Sequence, residues 1–164
     1  MNDAYYEQLV PAKARNKDRL IFVGLWIVAA VCLLGSMFSS IFLLLFLAAV
    51  IVNVILFMPR MQLEYEYVLV NSELEIDAIY KKSNRKKLFS MDIKDAEMIR
   101  PAKSSAVNTS QLTKLEDFSS REENLKKFIV LSKDQTGSKG IILSPDEKLL
   151  KQLKSYAGVR FQEF

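Results

Sequence analysis

The sequence predicts a membrane α-helical hairpin followed by an α+β domain of mostly antiparallel strands that ends in one helix. Three observations predict this fold class. Two uncharged apolar runs lie close together within the first 58 residues, residues of alternating polarity follow them, and an amphipathic segment with clear end signals comes last. We therefore divide the chain into an N-terminal segment (1–19), a hairpin (20–58) and a folded domain (61–164).

The two apolar runs, residues 20–38 and 41–58, contain no charged side chain. As helices rising 1.5 Å per residue they would reach about 27–29 Å, close to the ~30 Å hydrocarbon thickness of a bilayer. A helix in a soluble core would keep a polar face. We expect two transmembrane helices joined by a tight turn, with Pro59 ending the second. Cys32, in the first span, is expected to pack as a small hydrophobe.

Basic residues flank the hairpin at both ends, whereas the turn between the runs has none. Cytoplasmic loops are enriched in lysine and arginine close to membrane spans. We therefore expect a multi-pass protein of the plasma membrane, with the N-terminal segment, the folded domain and both termini in the cytoplasm. The flanking basic residues are Lys13, Arg15, Lys17, Arg19 and Arg60.

Asn53 is the strongly polar side chain of the hairpin, and an amide in lipid seeks a hydrogen-bond partner. We interpret it as an intramembrane contact to the neighbouring helix or to its own backbone. A homodimer contact, helped by Ser36 and Ser40 at the four-residue spacing typical of close helix packing, remains the alternative. No charged residue lies within the spans, so the hairpin does not by itself indicate a transporter.

Alternating polarity predicts the strands of the folded domain. In residues 63–70, Leu63, Tyr65 and Tyr67 share one face, as in a half-buried strand. The small, polar stretch 101–124 is expected to be largely a surface loop. The predicted strands are 63–70, 73–80, 86–93, 95–100, a short one around 115–118, 126–132 and 139–144.

A helix is predicted at 145–157. Ser144 fits the N-cap, Pro145 the first helical position, and Glu147 completes a capping box. An apolar stripe on this helix is expected to cover the open face of the sheet, because a small sheet needs a second layer. The stripe consists of Leu149, Leu150, Leu153 and Tyr156.

At this point the chain resembles a known pattern. The stretches "YEYVLVNSELEID", "KKLFSMDIKDAEMIRP" and "FIVLS" through "KQLKSYA" describe a strand meander closed by one C-terminal helix, which resembles a pleckstrin-homology-like (PH-like) barrel. Together with the preceding hairpin, they are similar to a family of uncharacterised two-span membrane proteins of Gram-positive bacteria. The resemblance covers about residues 20–160 and implies a membrane-tethered PH-like domain.

The sequence offers little catalytic chemistry. It has no histidine, its one cysteine lies in a predicted span, and its five glycines are isolated, so it has no glycine-rich phosphate loop. We predict no enzyme activity, no cofactor and no metal site. The mild positive charge of the folded domain also disfavours nucleic acid, which usually binds strongly basic domains.

A basic run in "YKKSNRKKLF" (80–89) supports two interpretations. It is either a solvated hairpin tip that resists edge pairing, or an anionic-lipid-binding site against the inner leaflet. The run consists of Lys81, Lys82, Arg85, Lys86 and Lys87.

The function that fits these features is a membrane-tethered cytoplasmic interaction or scaffolding module. The alternatives are a lipid-responsive module that uses the basic hairpin at 81–87, or an accessory subunit of a membrane transporter. The expected partners are membrane lipids, with a second copy of the chain or another membrane protein as further options.

Overall fold

The computed structural model describes residues 5–103, 112–134 and 137–162. These residues form two compact units. Residues 13–63 with 80–83 make up the helical unit, and the remaining described residues make up the sheet unit.

The helical unit is a hairpin of α1 (Asn16–Gly35) and α2 (Ser40–Met61), which pack against each other. By length and composition both helices are able to cross a membrane. Only 11% of the apolar window of α1 and 6% of that of α2 are buried inside the structure. Their apolar side chains therefore face outward, unlike those of a helix in a soluble core.

Pro59 does not end the second helix, which continues to Met61. The helix widens into a π-helical turn at Asn53–Phe57, and the Met58 N–H donates to the Asn53 carbonyl. Proline has no N–H and its ring crowds the preceding turn. The wider turn lies just before Pro59, where an α-helix would otherwise kink or stop.

The sheet unit contains two four-stranded sheets, one ordered β1-β2-β3-β4 and the other β5-β7-β8-β6. The first sheet consists of β1 (Tyr5–Ala12), β2 (Leu63–Val70), β3 (Glu73–Tyr80) and β4 (Asn84–Asp92). The second consists of β5 (Ala96–Pro101), β6 (Lys114–Asp117), β7 (Phe128–Asp134) and β8 (Gly137–Leu143).

Most strands lie where the alternation predicts them, and β2 and β3 have the predicted bounds. The short strand β6 differs in pairing, because it runs parallel to β8, with Lys114 opposite Lys139 and Asp117 opposite Ile142. The pairs β5–β7 and β7–β8 are antiparallel. The second sheet is thus antiparallel except at its β6 edge.

Strand β1 was not predicted, and it changes how the chain is organised. It lies before the hairpin in sequence, yet it is the neighbour of β2, which lies after the hairpin. Val10 and Ala12 are buried on its inner side, and Pro11 is tolerated because β1 is an edge strand. The helical hairpin is therefore an insertion between the first two strands of one sheet.

The C-terminal helix α3 (Glu147–Ala157) begins two residues later than predicted, and its N-cap is Asp146 rather than Ser144. The Asp146 carboxylate accepts a hydrogen bond from the Leu149 N–H at 2.8 Å. Ser144 is instead buried, and its hydroxyl accepts a hydrogen bond from the Ser120 N–H. Pro145 therefore lies before the helix rather than at its first position.

The core of the sheet unit lies between the sheets and α3. Leu149, Leu153 and Ala157 are the buried residues of α3, whereas Leu150 and Tyr156 lie at its half-buried margin. Two of the four predicted stripe residues, Leu149 and Leu153, are thus fully buried, and Ala157 extends their line by one helical turn. Fully buried strand residues of this core include Tyr67, Leu69, Leu74, Ile76, Ile99, Val130 and Leu143.

Candidate functional site

The first sheet turns an acidic face away from the core. Successive strand residues point to opposite sides, and Tyr65, Tyr67, Leu74 and Ile76 are buried on the inner side. The intervening residues of β2 and β3 are therefore on the outer side. The acidic outer residues are Glu64, Glu66, Glu73, Glu75 and Asp77.

Two residues of the basic run pair with this acidic face. The Arg85 guanidinium lies 2.5 Å from a Glu66 carboxylate oxygen and 3.8 Å from one of Asp77. The Lys87 ammonium donates to the Glu75 carboxylate, which raises the pKa of Lys87. Arg85 and Lys87 are thus both paired with carboxylates of the first sheet.

The other three basic residues have a different setting. Lys81 and Lys82 form the turn before β4, with φ angles of 51° and 58°, and Lys86 is exposed on β4. Within the described residues, these three side chains make no ion pair with a carboxylate. The structure therefore divides the run of five between a paired set and an unpaired set.

Glu66 is the most buried acidic residue of the outer face, with 2% of its surface exposed. Burial raises the pKa of Glu66, and a hydrogen bond from the Tyr5 hydroxyl lowers the pKa of the neighbouring Glu7. The Arg85 guanidinium opposes the effect of burial on the pKa of Glu66, and the neighbouring Glu7 carboxyl adds to the rise.

This carboxyl pair belongs to a network that crosses the whole first sheet. Glu7 comes from β1, Glu66 from β2, Asp77 from β3 and Arg85 from β4. One oxygen of Glu66 and one of Asp77 are buried without a hydrogen-bond partner among the described residues. The network links the edge strand β1 to the rest of the sheet through charge.

Lys81 and Lys82 lie beside the end of α2. The Lys81 N–H donates to the carbonyl of Gln62, the residue that follows α2, at 3.0 Å. Arg60 in the last turn of α2 pairs with Asp18 in the first turn of α1 at 3.1 Å. The start of α1, the end of α2 and the turn at Lys81 are therefore at the same end of the hairpin.

The polar residues of the hairpin do not form one contact. The Asn53 side-chain amide donates to the Phe22 carbonyl of α1 at 3.1 Å, and the residue is buried. The Ser36 hydroxyl donates to the Leu33 carbonyl of its own helix at 2.6 Å. Ser40 starts α2, about 20 Å along the helix from Asn53. Asn53 thus bonds to the neighbouring helix, away from both serines.

An open groove at the other sheet has an apolar floor. The rings of Phe128 and Phe161 stack there with centroids 5.8 Å apart, beside Leu150 of α3. The groove has a volume of about 940 Å³. Its lining residues are Pro101, Lys103, Glu123, Asn124, Leu125, Lys126, Lys127, Phe128, Leu150 and Phe161.

Three lysines rim this groove, and sequence reasoning did not find them. Lys103 follows β5 and Lys126 and Lys127 precede β7, so the antiparallel pairing of these strands brings them together. The Ala102 N–H donates to the Lys127 carbonyl at 2.8 Å and continues that pairing beyond the strand ends. Only the observed strand register could have identified this cluster.

A buried polar network holds the segment that leads into the groove. The Tyr67 hydroxyl donates to the Phe118 carbonyl at 2.5 Å and accepts from the Ser144 N–H at 3.3 Å. Burial raises the pKa of Tyr67, so the hydroxyl remains a donor at neutral pH. The Arg121 guanidinium donates to the Tyr65 hydroxyl at 2.7 Å and fixes the other end of this segment.

Within the described ranges, no group of three or more histidine, cysteine, aspartate or glutamate residues is placed to hold a metal ion.

Comparison with known proteins gives one match. The family model described as Bacterial PH-like domain (DUF6106) matches residues 2–163, nearly the whole chain. No curated protein and no solved structure matches the chain.

Proposed function

We propose that this chain, which belongs to the bacterial PH-like domain family (DUF6106), is a membrane-tethered interaction module with its sheet unit in the cytoplasm. PH-like domains are generally non-catalytic, and the family supports an interaction module of a general kind. The membrane tether, its orientation and the scaffolding role go beyond the family match and are our proposal.

The observation that carries the proposal is the position of the hairpin between β1 and β2. These strands are neighbours in one sheet, so the two ends of the hairpin must be on the same side of a membrane. Two spans satisfy this requirement, whereas one or three would separate the strands. A two-span anchor is therefore the arrangement that suits neighbouring β1 and β2 strands.

The surface of the hairpin supports membrane insertion. Most of its large apolar side chains are exposed, among them Leu20, Ile27, Leu34 and Leu44. Soluble monomers rarely expose contiguous apolar surface on this scale. Lipid is the solvent that suits such a surface, because hydrocarbon tails are as apolar as leucine.

Charge supports the cytoplasmic side. The basic residues that flank the hairpin belong to the helical unit, and so do Lys81 and Lys82. The residues at 13–19, Arg60 and Lys81 lie near the end of the hairpin at which α1 starts and α2 stops. The turn between the helices contains no lysine or arginine. By the positive-inside rule, the basic end is cytoplasmic.

The interaction role is tested by cross-linked affinity purification of the tagged chain from its native membrane. We expect the chain in the membrane fraction, with one or a few proteins enriched over a tagged control of equal abundance. A chain that is recovered in the soluble fraction contradicts the tether. A membrane chain without any enriched protein contradicts the interaction module.

A second candidate is a lipid-responsive module, favoured by the Lys81 contact to Gln62 beside the end of α2. Each basic residue near an anionic surface contributes about 1 kcal/mol. A fluorophore on Ser83→Cys, in a Cys32→Ala background, should be quenched by brominated lipid more strongly in anionic than in zwitterionic nanodiscs. Lys81→Gln with Lys82→Gln should abolish that difference, and equal quenching in both lipids excludes this role.

A further inference from the structure

We propose that the open groove described above, here the lysine-rimmed groove, binds an acidic segment of a partner protein that carries one aromatic or large aliphatic anchor residue. This inference rests on the proposed interaction module and deepens it by naming the chemistry of the partner. It uses a surface of the sheet unit that the basic run at 81–87 does not include.

The floor of the groove explains the anchor residue. Phe128 and Phe161 stack against each other and are mostly buried, while Leu150 is half-buried beside them and Leu125 is exposed at the margin. An apolar side chain placed on this floor removes apolar area from water on both partners. Such anchors in pockets supply most of the affinity in protein interfaces.

The rim explains the acidic character. Lys103, Lys126 and Lys127 surround the floor with Glu123 as the acidic lining residue. Within the part of the chain that the structure describes, none of the three lysines is ion-paired. Their ammonium groups therefore produce a local positive potential, which favours an acidic partner and repels a basic one.

The arrangement favours an extended peptide over a lipid headgroup. Tight phosphate sites converge several donors on one point, often an arginine fork or a helix N-terminus. Here the charges are lysines that line a broad groove with a volume of about 940 Å³, and apolar rings lie between them. A stretch of acidic residues on either side of one anchor matches both the spread of the charges and the floor.

The test uses the full chain in zwitterionic nanodiscs and three short fluorescent peptides. The first peptide has acidic residues around a central phenylalanine, the second replaces the phenylalanine with serine, and the third replaces the acidic residues with lysine. Fluorescence anisotropy at low salt should show saturable binding of the first peptide with a micromolar Kd, and at least about tenfold weaker binding of the others.

Variants locate the binding to the groove. Lys126→Glu with Lys127→Glu should weaken the first peptide by about tenfold or more. Lys148→Glu is the matched control, because Lys148 is an exposed lysine of α3 outside the groove, and it should change affinity by less than about twofold. Lys103→Gln with Lys126→Gln provides a milder neutralisation if circular dichroism shows that the charge reversal disturbs folding.

Three results would overturn the inference. The first is no binding of the acidic peptide up to about 1 mM. The second is equal weakening by the groove variants and by Lys148→Glu. The third is a set of groove variants that abolish binding to anionic-lipid vesicles but leave peptide binding intact, which would assign the groove to lipid. If proteins still co-purify with the chain while the peptide does not bind, only this inference fails and the proposed interaction module stands.

Discussion

The basic run at 81–87 and the lysine-rimmed groove differ in how the closeness of their basic residues in the sequence relates to their arrangement in the fold. The run is continuous in sequence, but the structure separates its members, since Arg85 and Lys87 pair with Glu66 and Glu75 on the first sheet. The groove lysines are dispersed in sequence, but the pairing of β5 with β7 brings them together. The fold therefore decides which charges are paired and which are brought together, and neighbourhood in the sequence does not.

The helix that supports the groove should show the largest effect. Leu153 is a fully buried residue of α3, and Leu153→Ala should lower the free energy of unfolding by about 2–5 kcal/mol. Chemical denaturation in mild detergent measures this change. A loss below about 0.5 kcal/mol would mean that α3 is not docked on the sheets, and the groove would lose one wall.

Arg85→Ala sharpens the contrast between paired and unpaired charge. The substitution leaves Glu66 buried beside Asp77 without its cation, so it should cost about 1–3 kcal/mol in the free energy of unfolding. This value is below that of a fully buried pair because Arg85 is 58% exposed. Lys126→Ala, at the groove rim, is the comparison and should cost less than about 0.5 kcal/mol. Equal losses of unfolding free energy in the two variants would mean that Arg85 contributes no more to stability than the unpaired Lys126.

The raised pKa of Glu66 predicts a pH dependence of the free energy of unfolding. The pKa of Glu66 is higher in the folded state than its ordinary value of 4.5, so between these two values the folded chain binds more protons than the unfolded chain. The stability that Glu66 contributes is therefore fully present below pH 4.5, and it is lost as the pH rises through the pKa of Glu66 in the folded chain. The lowered pKa of Glu7 acts in the opposite direction at lower pH.

Glu66→Gln cannot ionise at this position, so the variant should not lose stability as the pH rises through the folded pKa of Glu66. Denaturation curves of the two proteins from about pH 4 to about pH 8 make the comparison. A parent protein whose stability rises steadily with pH, or a variant with an unchanged slope, would contradict the raised pKa of Glu66.

The smallest effect separates two neighbouring lysines of the basic run. Lys87→Gln breaks the pair with Glu75 and should lower the unfolding midpoint slightly, because exposed ion pairs contribute little. Lys86→Gln, on the adjacent exposed position, should leave the midpoint unchanged. If Lys86→Gln is the more damaging change, the assignment of paired and unpaired lysines is wrong.

Much of the fold follows from local patterns, and the exceptions have physical causes. The apolar runs and the alternation of β2 and β3 predict their elements because these patterns are typical of a long apolar helix and of a half-buried strand. Local patterns do not predict strand β1, because its inner side includes the polar Gln8 and its sequence contains Pro11. Gln8 is satisfied only in the fold, where its amide donates to the Ser144 carbonyl and accepts from the Asp146 N–H.

The cap of α3 and the groove required tertiary information. Ser144 and Asp146 both suit an N-cap, and the choice depends on Ser144 being engaged with Tyr67 and Ser120 in the core. Likewise, nothing in the sequence near Lys103 indicates that Lys126 will lie beside it. The register of β5 against β7 is what brings the groove lysines together.

The position of the helical hairpin between two strands of one sheet underlies the proposed membrane tether, and thiol labelling on intact cells tests that tether most directly. Single cysteines replace Leu9 in β1, Ser39 in the helix turn and Lys133 in β7, each in a Cys32→Ala background and treated with an impermeant thiol reagent. We expect Ser39→Cys to be labelled on intact cells, and Leu9→Cys and Lys133→Cys to be labelled only after permeabilisation. Labelling of Leu9→Cys and Lys133→Cys but not of Ser39→Cys would reverse the orientation, and labelling of only one of these two strands would contradict the shared sheet unit.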